Sequence, residues 1–324
     1  MYAIVAAVAV VVGVSRRHEL ALALSLIGDA LWPRLLLAAG CEGASLLCMV
    51  ELQKWLLGAG GQPLRFRSVL AIVLAANAVA GALPGGAAFA AAWEFRQLRL
   101  RGASQALAGA VLVLAGVLSG VGLFALLLVG LTSEGPSGPG AGLRPAVVSI
   151  AALGIAAAAV SYGLWQVRPV RWRARRAWRR VNLRSRGLRK IRVDASRLLR
   201  QFRMAEPGLR PWLWPTGLAV LNWLFDMACL AACMWSLGIT IPWQGFVASY
   251  ALTQVAGSLR LTPGGLVVVE ASLTTLLVLS GLAVEQALAV TLVYRLMSYW
   301  ALQPLGWVCW LGVTLGAGGR APEV

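Results

Sequence analysis

Charged and polar side chains inside long apolar runs are the residues of this chain best placed to do chemistry, because each is costly to keep in hydrocarbon. Glu270 follows a Thr262-Pro263-Gly264-Gly265 break, and Arg260 precedes it. Arg295 falls about ten residues into the last apolar run, with Tyr299 one turn further along the same helical face. Asp226 stands in mid-run with Asn222 one turn before it, and Glu42, Glu51 and Asn77 complete the set. Two roles fit such residues. Either the acids and arginines pair to hold helices together, or they line a polar path that a charged head group follows while its tails stay in lipid.

The second kind of candidate is a break in the backbone. Pro84-Gly85-Gly86 and Pro263-Gly264-Gly265 each interrupt an apolar run. Proline cannot donate to a helical ladder, and glycine lets backbone or ligand approach closely. A helix restarting there presents free N–H groups and the positive end of its dipole, suited to a phosphate; a plain hairpin turn is the simpler reading. Signatures of soluble enzymes are missing: no GxxxxGK[ST] loop, no HExxH, no nucleophile elbow. With His18 the only histidine, neither a His-based acid–base pair nor a zinc set with Cys41, Cys48, Cys229, Cys233 and Cys309 is expected. The expectation is a non-enzyme without metal or cofactor. A membrane-embedded transferase using Glu42, Asp226 and Glu270 is the alternative.

The elements that must position these residues are apolar helices. Of 324 residues, 59% are hydrophobic and 13% charged, against about a quarter charged in a soluble domain. Apolar runs at 32–57, 103–131, 146–167, 211–237 and 285–316 are each long enough to cross ~30 Å of hydrocarbon, and residues 1–14 read as a short first crossing rather than a cleavable signal. Gly116 and Gly120 have the spacing of a packing pair. The arms after each Pro-Gly-Gly, 87–101 and 266–280, are only about 22 Å long as helices. Broken, short segments at corresponding places in two halves point to a transport site. The halves also share Val-Ala-Gly (79–81 and 255–257), Pro-Gly-Gly, and Gln-Ala-Leu-Ala (105–108 and 286–289), at offsets of 176, 179 and 181 residues. Duplication explains three matches in order; alanine- and glycine-rich composition is the competing explanation.

Charge orients the segments. The net charge is +17, and sixteen Lys/Arg between Arg168 and Arg210 face only Asp194 and Glu206. The positive-inside rule makes this loop cytoplasmic, with anionic lipids as neighbours and no nucleic acid implied. It is a topology anchor, or an amphipathic helix on the membrane surface along the stripe from Ala174 through Trp178 to Phe202. Arg65, Arg67 and Arg96 to Arg101 put both ends of the first hairpin in the cytoplasm; 238–245 and 281–284 hold no Lys or Arg, so the second enters from outside. Glu94, Gln97 and Arg101 share a face of the first short arm, read as an interfacial salt-bridge face. Tryptophans such as Trp165, Trp212, Trp214 and Trp243 read as interface anchors. The expected fold is all-α: a polytopic transmembrane protein with two re-entrant helical hairpins, 66–101 and 243–280, in an inverted repeat. Its parts are a first half (1–167), the basic amphipathic loop (168–210) and a second half (211–324).

The stretch NAVAGALPGGAAFAAAWEFRQLRLRGAS, Asn77 to Ser104, and TPGGLVVVEASL, Thr262 to Leu273, followed by VYRLMSYW, Val293 to Trp300, resemble the motifs and last helix of the lysylphosphatidylglycerol synthase transmembrane-region family, also called the flippase-like domain. The resemblance spans nearly the whole chain. The family includes the membrane half of the bacterial multiple peptide resistance factor, which moves aminoacylated phosphatidylglycerol between leaflets. The resemblance therefore implies a lipid translocase of the bacterial cytoplasmic membrane, moving a polar or anionic lipid or a lipid-linked substrate. The path would be lined by Glu270, Arg260, Arg295, Asp226, Asn222, Tyr299, Glu42 and Asn77. That factor's aminoacyl-transferase domain has no counterpart here, so lysine transfer is not expected. Glu94 follows Pro84 by ten residues whereas Glu270 follows Pro263 by seven, so the halves need not be equivalent. A scaffold recruiting enzymes through 168–210 is the third reading, and homo-oligomerisation is left open.

Overall fold

The structure, a computed structural model, describes residues 31–82, 85–133, 145, 210–258 and 262–318. The expected crossings at 1–14 and 146–167, the basic loop up to residue 209, and Pro84 and Arg260 lie outside the described residues. In chain order the helices are α1 (Trp32–Ala59), α2 (Phe66–Ala82), α3 (Gly86–Leu100), α4 (Gln105–Ser133), α5 (Arg210–Ser236), α6 (Trp243–Ser258), α7 (Val268–Leu279), α8 (Val284–Arg295) and α9 (Leu302–Gly318). A 3₁₀ turn occupies Pro263–Gly265 and a π turn Leu296–Trp300. No strand occurs among the described residues.

Helices α1, α4 and α5 are long and apolar enough to cross a membrane. Their 28, 29 and 27 residues give about 40–44 Å at 1.5 Å per residue, more than the ~30 Å hydrocarbon core. Helix association in lipid relies on close packing, since the tails outside are as apolar as the core. The largest pairing joins α1 to α5, with Trp55 edge-on to Trp212 at 5.9 Å. A face of α4 carrying Val113, Val117 and Val121 is exposed, as a lipid-facing surface must be. Gly116 and Gly120 lie on that exposed side, and a Cβ at either would meet nothing within 4 Å. They are not the packing pair their spacing suggested. The close approaches belong to Gly122, against Ala219 of α5, and Gly130, against the Ala248 backbone of α6.

Two pairs of shorter helices fold back on themselves. Helix α2 packs along α3, and α6 along α7. At 17, 15, 16 and 12 residues they span about 18–26 Å, less than the bilayer core. The first hairpin closes because Gly85 takes φ +65° and because a Cβ on Gly86 would run into the Ala80 carbonyl. Only glycine reaches that left-handed turn cheaply. The second break holds Gly264 at φ +60°, Gly265 at φ +68° and, less expectedly, Val267 at φ +72°. A β-branched residue there is strained by about 1–3 kcal/mol.

The last apolar run, expected as one crossing over 285–316, follows a single helical track with a defect in its middle. Arg295, Leu296 and Ala301 all keep right-handed helical dihedrals. The Ala301 N–H, however, reaches the Leu296 carbonyl at 2.9 Å, a π-type bond spanning five residues. This widened turn carries Tyr299.

Candidate functional site

The end of α2, just before the first break, meets the second break at Tyr299. Its hydroxyl donates to the Gly81 carbonyl at 3.1 Å, four residues before Gly85 of the first break. The same ring end lies against Gly264 of the second break, where any Cβ would collide with the Tyr299 hydroxyl. A Cβ on Gly81 would also come within 2.6 Å of that hydroxyl. Helix α2 accordingly packs on the Pro263–Gly265 turn and, extensively, on α9. The π turn earns its place here: it puts a long side chain between two glycine surfaces that a regular helix would face with a different residue.

One residue before the π turn, Arg295 is buried. Its Nε donates to Glu270 Oε1 at 2.7 Å and its Nη2 to the Gly264 carbonyl at 2.8 Å. Its guanidinium lies 4.4 Å from the centre of the Tyr299 ring, a cation–π contact. Glu270 belongs to the first turn of α7, where a carboxylate also meets the positive end of the helix dipole. Its second oxygen is buried without a hydrogen-bond partner. The second break thus holds one paired cation whose counter-ion has an acceptor to spare.

A carboxyl network adjoins this pair through Tyr294, the neighbour of Arg295. Asp226 Oδ1 accepts from the Tyr294 hydroxyl at 2.8 Å. Oδ2 accepts from the Tyr250 hydroxyl at 2.7 Å and from Gln254 Nε2 at 2.6 Å. Gln254 Nε2 also reaches the Tyr294 hydroxyl at 2.9 Å. The Glu42 carboxyl comes within hydrogen-bonding reach of Asp226. One turn away, Asn222 accepts from Ser45 Oγ at 3.3 Å, a second polar tie between α1 and α5. Polar side chains from α1, α5, α6 and α8 therefore form a network through an apolar bundle, next to the Arg295–Glu270 pair of α8 and α7.

Of the sequence-derived candidates, Glu270, Arg295, Tyr299 and Gly264 are brought together, Glu42, Asn222 and Asp226 share the adjoining network, and Gly85 and Gly86 shape the first turn. Asn77 is not among them: its side chain is exposed on α2. Glu51 pairs locally with Lys54 at 3.0 Å. Pro263 begins the 3₁₀ turn. The face of Glu94, Gln97 and Arg101 is not a salt-bridge face. Glu94 and Gln97 are buried, and Arg101 donates to Gln97 rather than to Glu94. Tyr250, Gln254 and Tyr294 were missed. Tyr250 and Gln254 stand four apart on one face of α6, and that spacing is the signal that marks them. Among the described residues, no group of three or more His, Cys, Asp or Glu could hold a metal.

The family model described as "Lysylphosphatidylglycerol synthase TM region" matches residues 1–306 of the chain. No curated protein matches it.

Proposed function

As the chain belongs to the lysylphosphatidylglycerol synthase transmembrane-region family, whose members have a membrane-lipid-related role, we propose that it translocates a lipid with a polar or anionic head group between the leaflets of the bacterial cytoplasmic membrane. The observation that carries this reading is the meeting of the end of α2 with the second helix break at Tyr299, beside the buried Arg295–Glu270 pair. Buried charges in a membrane domain mark substrate paths. Broken helices in matching positions of two halves mark where such a path crosses mid-depth.

In this proposal α2–α3 and α6–α7 are re-entrant hairpins of an inverted repeat, entering from opposite sides. The head-group phosphate meets Arg295 and displaces Glu270 from it, an exchange of one anion for another on the same guanidinium. The tails stay in lipid along the exposed apolar faces. Asp226, Tyr250, Gln254 and Tyr294 hold α8 in place so that Arg295 keeps its depth. The basic loop at 168–210 sits on the cytoplasmic surface among anionic lipids. No bond is made or broken, so the activity is transport and not catalysis.

The test is a proteoliposome assay with a head-group-labelled fluorescent lipid, comparing wild type with Glu270→Ala and Arg295→Ala. Loss of translocation in Arg295→Ala supports the assignment. Equal rates in all three reject it, and a new lipid product in the wild-type sample would favour a transferase instead.

A further inference from the structure

Away from Tyr299, the first hairpin buries a carboxyl that no cation among the described residues reaches. Glu94 on α3 is 8% exposed, Gln53 on α1 is 6% exposed, and the Gln53 amide lies within hydrogen-bonding reach of the Glu94 carboxyl. Glu94 Oε1 and Gln53 Oε1 are nevertheless both buried without a hydrogen-bond partner. Both orphans are acceptors, and each has given up water without gaining a donor. One hydrogen settles both. A carboxylic acid and a primary amide close a ring when the acid O–H donates to the amide oxygen and the amide N–H donates to the acid carbonyl.

We propose that Glu94 and Gln53 form a proton-binding site, in which Glu94 is held as the neutral acid, donates to Gln53 Oε1, and latches α3 to α1. Both orphan oxygens are shut off from the surface, which suits a proton and leaves no room for a head group. The surrounding charges do not compete. On α1 the nearest ionisable groups, Glu51 and Lys54, pair with each other. On α2 the one charged residue is Arg67, which is exposed, and α4 has none. On α3 itself Arg96 and Arg99 are exposed, while Arg101 is bound to Gln97. Helix α3 is not one of the three membrane-crossing helices. Burial pushes the Glu94 carboxyl up to about 7, with the Gln53 hydrogen bond acting the other way. The folded state therefore keeps a proton that the unfolded chain gives up near the ordinary carboxyl value of 4.5. The stabilisation is fully present below that value and is lost as pH rises through about 7. Opening of the latch would then loosen one arm of the hairpin, and that consequence rests on the transport reading above.

Infrared difference spectra of the purified full chain in detergent test the site without measuring transport. A protonated-carboxyl C=O band should vanish as pH rises, with a midpoint near the value above, and be missing from Glu94→Gln. The unfolding temperature of the wild type should fall between about pH 5 and about pH 8.5, while Glu94→Gln, whose amide can replace the acid O–H, stays flat. In Gln53→Leu the acid band should move to higher frequency, because its carbonyl loses a donor. No Glu94-dependent band at acid pH, an unchanged pH slope in Glu94→Gln, or no shift in Gln53→Leu would each overturn the proposal.

Discussion

Replacing Arg295 by methionine removes a buried cation while keeping most of its volume. Glu270 then loses its partner on Oε1, and its Oε2 already has none. Removing one member of a buried pair costs about 3–5 kcal/mol, because the remaining charge is uncompensated. The Glu270 side chain is 22% exposed, which eases that penalty, so about 3 kcal/mol is expected, including the lost bond to Gly264. Glu270→Gln keeps an acceptor for Arg295 and should cost about 1–2 kcal/mol. The double variant removes both charges, so its destabilisation should fall short of the summed singles by about 2 kcal/mol. Unfolding in detergent, followed by the fluorescence of the chain's tryptophans, gives all four corners of the cycle. Transport should behave differently. If Arg295 is the phosphate anchor, the double variant regains stability but stays inactive, since neutrality serves the fold and the cation serves the cargo. Additive stabilities, within about 0.5 kcal/mol, would refute the pairing. An active double variant would refute the role of Arg295.

Other positions give sharper steric outcomes. Gly264→Ala forces a side chain into the left-handed region and against the Tyr299 hydroxyl. It should cost at least about 1–2 kcal/mol and stop translocation in the same liposome assay. Val267→Gly relieves a strained φ of +72° at an exposed position, so the unfolding midpoint should rise, by about 1 kcal/mol. Gly130→Ala places a Cβ 2.6 Å from the Ala248 backbone and should lower stability by about 1–3 kcal/mol. Gly116→Ala meets open space and should be neutral or stabilising by up to about 1 kcal/mol. Equal effects of these two substitutions in parallel melts would contradict the packing of α4 on α6.

The helices themselves could be read from the sequence, because a run of apolar residues long enough for the bilayer has one economical conformation. The expected 32–57, 103–131 and 211–237 differ from α1, α4 and α5 by only a few residues at their ends. Arg295, Glu270 and Asp226 could be picked out because a charge in an apolar run stands alone. Which way a neutral residue faces could not. In a soluble helix the polar stripe reveals the outside, but here lipid-facing and core-facing sides are both apolar. That ambiguity misplaced Gly116 and Gly120 as a packing pair. It also hid Tyr250 and Tyr294, whose rings suit a lipid interface as well as a polar core. Glu94 was taken for an edge residue because three arginines follow it, while the turn of the helix buries it against α1. The π turn left no mark in composition at all, being a matter of one residue too many in one helical turn.

That surplus residue is absorbed where it stands. A turn closed by the bond from Ala301 to Leu296 fits five residues into about the rise and rotation that an ordinary turn gives to four, so α9 keeps nearly the phase it would have without the bulge. Gly306, whose missing Cβ lets Leu74 and Ala78 of α2 come close, holds its place on either winding. Deleting Tyr299 itself would therefore narrow the turn and remove the hydroxyl that reaches Gly81 and Gly264, while the last helix stays seated on α2.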